Sequence, residues 1–346
     1  AVVVLLFDDL LDALSATPAI LAHRPSAVEL IDNMILCAGR RNPRIAQSCT
    51  FIPGDPDGML AVELDGAAAE GVLHAADALC MDPAVVEKAR NAVKLHEHER
   101  QAALWTLRKS GLGLLMSQPG DFQSCAFIED TAVAPRRLRD YIRDLREILD
   151  REGVRAGCYA HASVGCLHVR PVLNLKSDTG VEQMRRIAAS VFDLALDYDG
   201  TISGEHGDGI VRSSWLEKMY GPRIIQAFRE VKDLFDPARR LNPGKIVDPL
   251  PMTDHLRYGS SWRSRAMKTI LDFTAHGGMV GLAGMCSGVG QCRQTLTGVM
   301  CPSYVATLDE THTTRARANA LRVALSNRGL LDGLADEALD ETMELC

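Results

Sequence analysis

Apolar and polar positions over the first 250 residues switch repeatedly between a period near two and a period near 3.6, which predicts alternating strands and helices. Val2–Phe7 is an unbroken apolar run and reads as a buried strand. Leu10–Leu21 has helical spacing, and Pro25-Ser26 opens a second helix predicted to run through Leu36. Met59–Leu64 alternates as a strand, and Ala67–Leu79 returns to helical spacing. Residues 85–120 are charged and predicted helical. A strand is expected at Cys125–Glu129, then an amphipathic helix from Pro135 to Glu152. A histidine-bearing strand follows, with helices over Val181–Tyr198 and Ile224–Phe235 before the turn Asn242-Pro-Gly-Lys245.

The periodic pattern then lapses. Residues 251–275 carry proline, serine, glycine and basic residues, as in Tyr258-Gly-Ser-Ser-Trp-Arg-Ser-Arg265, and are expected to be a linker. A cysteine-bearing module, with a helix predicted at Arg315–Leu325, occupies residues 276–346. The organisation expected is one domain over residues 1–250, the linker, and this smaller module.

Composition narrows the function. The net charge of −7 argues against a nucleic-acid binder, which normally shows a basic face. No apolar run reaches the roughly 20 residues of a membrane helix. The first residues run into Asp8-Asp9 without the basic flank of a signal peptide. A cytoplasmic protein is expected, at most peripheral to the inner membrane, with homo-oligomerisation open. A chain that begins inside a strand without Met is expected to be an internal fragment. Of the ten cysteines, Cys286, Cys292, Cys301 and Cys346 fall in the last stretch. A disulfide framework does not suit so large a chain without a secretion signal, which leaves metal or cluster binding.

The chemistry concentrates in two glycine-flanked segments, His161-Ala-Ser-Val-Gly-Cys-Leu-His168 and Gly204-Glu-His-Gly-Asp-Gly209. The spacing of His161 and His168 fits the two ends of one strand, or a strand and its adjoining loop. Imidazole and carboxylate are ligands that a borderline divalent metal accepts, and three protein ligands leave a position open for substrate. The competing reading is two unrelated histidines near a turn.

These motifs, in this order, together with Phe235-Asp-Pro237 and Leu241-Asn-Pro-Gly-Lys245, resemble the C-terminal substrate domain of FAD-linked oxidases. That superfamily, of the vanillyl-alcohol-oxidase type, includes D-lactate, glycolate and D-2-hydroxyglutarate dehydrogenases. Cys286-Ser-Gly-Val-Gly-Gln-Cys292, Met300-Cys-Pro-Ser-Tyr304 and Thr314-Arg-Ala-Arg317 resemble the iron–sulfur module fused to it in the large bacterial D-2-hydroxyglutarate dehydrogenases. The resemblance implies an α+β fold, a ferredoxin-like antiparallel sheet covered by helices, followed by a small mainly helical iron–sulfur module. It also implies a chain truncated at both ends, since no glycine-rich FAD pyrophosphate loop is present and the second cysteine motif would begin near Cys346.

Carried over residue by residue, the resemblance makes His161, His168 and Glu205 ligands of a divalent Zn, Mn or Fe ion, and His206 the general base. It makes Arg108, in Trp105-Thr-Leu-Arg108, the clamp of a substrate carboxylate, for which a bidentate guanidinium is suited. Asn242 would contact FAD, while Cys286, Cys292, Cys301 and Cys346 would serve a 4Fe-4S cluster. The implied reaction is oxidation of a D-2-hydroxy acid to the 2-oxo acid, with electrons passed to a quinone, a cytochrome or another flavoprotein. Three positions depart from the pattern. Ser163-Val-Gly-Cys166 replaces a Gly-Asp-Gly-Asn seen in relatives. Val289 stands where a ferredoxin motif has its middle cysteine. Arg170 replaces an Asn, and this cation suits either the second carboxylate of a diacid or a nearby acidic residue. A non-redox, metal-stabilised structural or interaction module is the alternative.

Overall fold

The computed structural model describes residues 1–265, 267–296, 298, 300–327 and 333–345. The chain divides into two compact units, one of residues 1–115, 124–172 and 182–255, the other of residues 116–123, 173–181 and 256–346.

The first unit is built on an antiparallel sheet. In chain order its elements are β1 (Val2–Phe7), α1 (Leu10–Ala22), β2 (Ala27–Asp32), α2 (Asn33–Arg41), β3 (Gly58–Glu63), α3 (Ala69–Met81) and α4 (Pro83–Val86). Next come β4 (Asn91–Leu95), α5 (His98–Met116), β5 (Gln123–Ser124), β6 (Thr131–Ala132), α6 (Leu138–Arg151), β7 (Ala156–His161) and β8 (Cys166–Leu173). The series ends with α7 (Asp178–Asp197), α8 (Gly209–Ser213) and α9 (Leu216–Phe235), whose path breaks at Gly221. The strand order is β4-β1-β3-β2-β7-β8-β5, with β6 also paired to β8. The α+β class expected from the sequence is therefore present, an antiparallel sheet with helices over it.

Pleating sorts the side chains into two layers. Val4, Leu6, Ile31, Met59 and Tyr159 point to one face and form a core with Leu104, Leu107 and Leu115 of α5. Trimming a fully buried leucine such as Leu107 to alanine in a core of this kind costs about 2–5 kcal/mol. The opposite face, with Leu5, Phe7, Leu30 and Leu60, is covered by α1, on which α6 packs.

Four expected elements differ. The single histidine-bearing strand is a pair, β7 and β8. The helix expected from Pro25 to Leu36 is a strand followed by a helix. Ala27–Asp32 pairs with β3 and β7, and the Asp32 carboxylate accepts the N–H of Ile35, so the helix starts only after this cap. The stretch 85–120 holds the edge strand β4 ahead of α5; its pairing with β1 is a tertiary event that local charge does not reveal. The run Cys125–Glu129 is irregular. It passes β8 on single bonds, Cys125 N–H to Pro171 O and Asp130 N–H to Leu167 O, and Asp130 breaks the extended path at φ 75°.

The second unit contains α10 (Gly278–Gly284), α11 (Pro302–Thr307), α12 (Thr314–Ala324) and α13 (Glu337–Met343). Its buried residues include Trp262, Ala283, Cys292, Cys301 and Leu339. Arg317, largely buried, ties three of its segments together by donating to Thr342 O at 3.1 Å and Ser303 Oγ at 3.3 Å while standing 3.9 Å from Cys301 Sγ. Among the described residues no helix is long and apolar enough to cross a membrane.

Candidate active site

His161 and His168 lie on different strands. His161 ends β7, His168 sits within β8, and a turn at residues 162–165 joins them. The turn depends on Gly165. Its φ is 79°, and a Cβ there would come within 1.8 Å of the Val133 carbonyl oxygen. Register places Tyr159 opposite His168, His161 opposite Cys166, and Glu29 of β2 opposite His161. Directly opposed residues point to the same side of a sheet, so Glu29, Tyr159, His161, His168 and Arg170 share one face. It is the face whose apolar half packs against α5, and Arg108 follows Leu107 on that helix.

Glu205 and His206 arrive on the loop before α8. The Glu205 Oε1 atom lies 3.3 Å from His161 Nε2, 3.3 Å from His168 Nε2 and 3.2 Å from His206 Nε2. Three imidazoles from three segments thus surround one carboxylate oxygen. His161 and His168 meet edge to face, while His168 and His206 stack with ring centroids 4.9 Å apart. Burial pushes the His168 imidazole down to about 3, helped by His161 and His206, so it is neutral at ordinary pH. The hydrogen bond to Glu29 raises His161 above its usual value, against the effect of burial.

The ligand atoms of His161, His168 and Glu205 fall within 4.8 Å of one another, as do those of Glu129, His168 and His206. Two nitrogens and a carboxylate oxygen make a donor set that suits Zn, Mn or Fe, and a carboxylate behind the second nitrogen of His161 is the support such ligands use.

Four further residues, none of them singled out in the sequence, hold this arrangement. Glu29 accepts from Arg108 Nε at 2.7 Å with Oε2 and lies 2.7 Å from His161 Nδ1 with Oε1. Asp130, fully buried, accepts the backbone N–H groups of Glu205 at 2.9 Å and His206 at 3.0 Å, and the Ser203 hydroxyl at 2.9 Å. Burial pushes the Asp130 carboxyl up, and these donors more than offset it, leaving it below the usual carboxylate range. Arg212 donates to the carbonyls of Glu129 and Gly207, clasping the same loop. Glu129 is ion-paired with Arg170 and stands 3.8 Å from His206 Nδ1.

Arg108 and Arg170 flank Tyr159. The Arg108 guanidinium lies 4.6 Å from the ring centroid, and Arg170 donates to the Tyr159 hydroxyl at 3.1 Å. Of the two partners open to Arg170 in the sequence, the structure brings an acid, Glu129, to it.

Residues 1–246 match the family described as FAD linked oxidases, C-terminal domain. The chain belongs to that family. Over 338 residues this oxidase domain and its extension are 31% identical to D-2-hydroxyglutarate dehydrogenase of Pseudomonas putida, covering 93% of this chain and 33% of that protein. Over 221 residues they are 36% identical to D-2-hydroxyglutarate dehydrogenase of Haemophilus influenzae, covering 63% of this chain and 21% of that protein. The chain therefore spans no more than about a third of the length of these curated relatives. Among solved structures, p-cresol methylhydroxylase with substrate bound superimposes with a TM-score of 0.52 over 71% of this chain and 52% of that one, at 15% identity. That likeness is one of fold.

Asn242 is not among the residues that converge on the Glu205 carboxylate. Asn242 has φ 46°, the left-handed conformation of a turn-forming Asn, and accepts from Lys245 Nζ at 3.0 Å. It lines an apolar groove with Phe228, Val231, Leu241, Ile246 and Val247. Cys286, Cys292 and Cys301 belong to the second unit, and Cys346 lies outside the described residues. Among the described residues, the convergent sets of three His, Cys, Asp or Glu ligand atoms include none of Cys286, Cys292 and Cys301.

Proposed function

We propose that this chain forms the substrate-holding part of a flavin-dependent dehydrogenase that oxidises a D-2-hydroxy acid to the 2-oxo acid. The observation that carries the reading is the convergence of His161, His168 and His206 on one oxygen of Glu205. His161, His168 and Glu205 would hold a divalent ion, and Asn242 would face the flavin. When bound, the ion supplies Lewis-acid polarisation of the hydroxy acid, and the flavin supplies the hydride acceptor.

The protein's own residues bind, orient and take the proton. His206 offers Nε2 to the substrate hydroxyl proton, and Glu129, near its Nδ1, stabilises the imidazolium that results. Glu29 occupies the Nε side of Arg108, so a substrate carboxylate would meet Nη1 of that guanidinium. Arg170 keeps Glu129 and Tyr159 in place. The names of the curated relatives favour D-2-hydroxyglutarate over D-lactate or glycolate. For a 4Fe-4S cluster, support comes from the Met300-Cys-Pro-Ser-Tyr304 context alone, and no electron-transfer step is built on it.

A purely structural metal site would be closed by its ligands. Here the Glu205 and His206 side chains are 44% and 40% exposed, which favours a site that admits substrate. The test is metal and flavin analysis of the full-length protein with the substitutions His161→Ala and Glu205→Gln, alongside turnover of the three hydroxy acids with an artificial electron acceptor. Both variants should lose metal and most turnover and retain flavin. Full metal occupancy in both would overturn the reading.

A further inference from the structure

We propose that Glu29 is a positioning residue that uses its two carboxylate oxygens to couple a metal ligand, His161, to the substrate-facing cation, Arg108. The inference rests on the site reading given above and concerns a residue that no motif in the sequence marks.

The placement is built into the sheet. Glu29 is directly opposite His161 in the β2–β7 register, so its side chain must rise on the same face beside the imidazole. Its side chain is only 11% exposed, and both oxygens are engaged: Oε1 with His161 Nδ1 and Oε2 with Arg108 Nε, each at 2.7 Å. A carboxylate is an acceptor only. Against Nδ1 it selects the tautomer with the proton on Nδ1, which turns the Nε2 lone pair toward Glu205. That is the orientation a ligand imidazole needs. A carboxylate this buried needs a cation, and Arg108 provides it from α5 while resting on the Tyr159 ring. One residue therefore sets both the ligand tautomer and the angle at which the guanidinium approaches the site.

Glutamine tests this with little change of shape. Its single carbonyl oxygen can accept from His161 or from Arg108, and its amide N–H₂ then faces the other donor. In the full-length protein, Zn²⁺ affinity measured by competition with a chelator should fall about 10–100-fold in Glu29→Gln. In steady-state assays KM for D-2-hydroxyglutarate should rise by a larger factor than kcat falls, because Arg108 is loosened. If Glu29→Gln does not fold, Glu29→Asp is the second variant. It keeps the charge for Arg108 and withdraws an oxygen from His161 by one methylene, so it should show the same weakening of Zn²⁺. Wild-type Zn²⁺ affinity in the folded variant overturns the proposal. Wild-type protein that binds no Zn²⁺, Mn²⁺ or Fe²⁺ would instead bring down the site reading itself, and the role of Glu29 with it.

Discussion

The carboxylate of Asp130 holds Glu205 by its backbone, accepting that N–H at 2.9 Å, and does the same for His206 at 3.0 Å. The loop carrying Glu205 and His206 is thus held at its backbone by a buried anion. Asp130 is tied in turn to β8, where its N–H donates to Leu167 O next to His168. Asp130 thus links the Glu205–His206 loop to the strand that carries His168, and Arg212 clasps the same loop at Gly207 O.

Asp130→Asn is therefore expected to damage the site without touching substrate. An amide presents one acceptor oxygen where the carboxylate presents two, so at least one loop N–H is left facing a donor. An unmet buried donor costs about 1–3 kcal/mol. Thermal unfolding should show that loss, and metal content should drop with it. A variant with wild-type Tm and full metal occupancy would show that the loop holds its shape unaided.

The sequence exposed the chemistry better than its support. His161, His168, Glu205 and His206 are legible because glycines bracket them and because imidazoles are scarce. Glu29 and Asp130 are invisible for a physical reason: each acts through partners 75 to 132 residues away in sequence, and neither acid stands in a spacing that marks it. The missed strand at Ala27–Asp32 has the same origin. Its six residues read as the start of a helix until β3 and β7 supply the ladder. The single histidine-bearing strand that the sequence suggested is instead a pair of strands, because the turn at Gly165 is shaped by a carbonyl from Val133 that no local pattern announces.

Asp32 should give the fold a measurable pH dependence. Burial pushes this carboxyl up to about 7, against the N–H groups of Ile35 and Cys158, which favour its charged form. A folded value above the unfolded one means the native protein retains a proton that the unfolded chain releases. The contribution to stability is thus fullest below about pH 4 and is lost as pH rises toward about 7, with a slope of up to about 1.4 kcal/mol per pH unit. Asp32→Asn removes the titration and still offers an oxygen to cap α2. The stability difference between wild type and variant, from denaturant unfolding, should shrink steadily over that window as pH rises. A constant difference would place Asp32 at an ordinary carboxylate value.

His206→Ala separates base from ligand. A positioned base contributes about 10²–10⁴ in rate. The expected result is a kcat lowered by that factor with metal retained, since His161, His168 and Glu205 remain. Loss of metal would move His206 into the ligand set, as the grouping of Glu129, His168 and His206 allows.

Arg170 decides between two kinds of selectivity. Its guanidinium is 3% exposed, ion-paired with Glu129 and bonded to the Tyr159 hydroxyl at 3.1 Å. A distal substrate carboxylate would have to compete with Glu129 for it. Arg170→Ala leaves the Glu129 carboxylate, 12% exposed, without this cation, and breaking a buried pair costs about 3–5 kcal/mol. The expected outcome is a lowered Tm and a similar loss of kcat/KM for D-2-hydroxyglutarate and D-lactate, because the damage passes through Glu129 and the His206 it supports. Arg170→Lys should recover part of the stability, since it keeps the charge without the fork. If the variant instead loses about ten- to a hundred-fold more on the dicarboxylate, the value of one charge-assisted hydrogen bond, then Arg170 reads the second carboxylate. Glu129 would then be a gate that the substrate displaces.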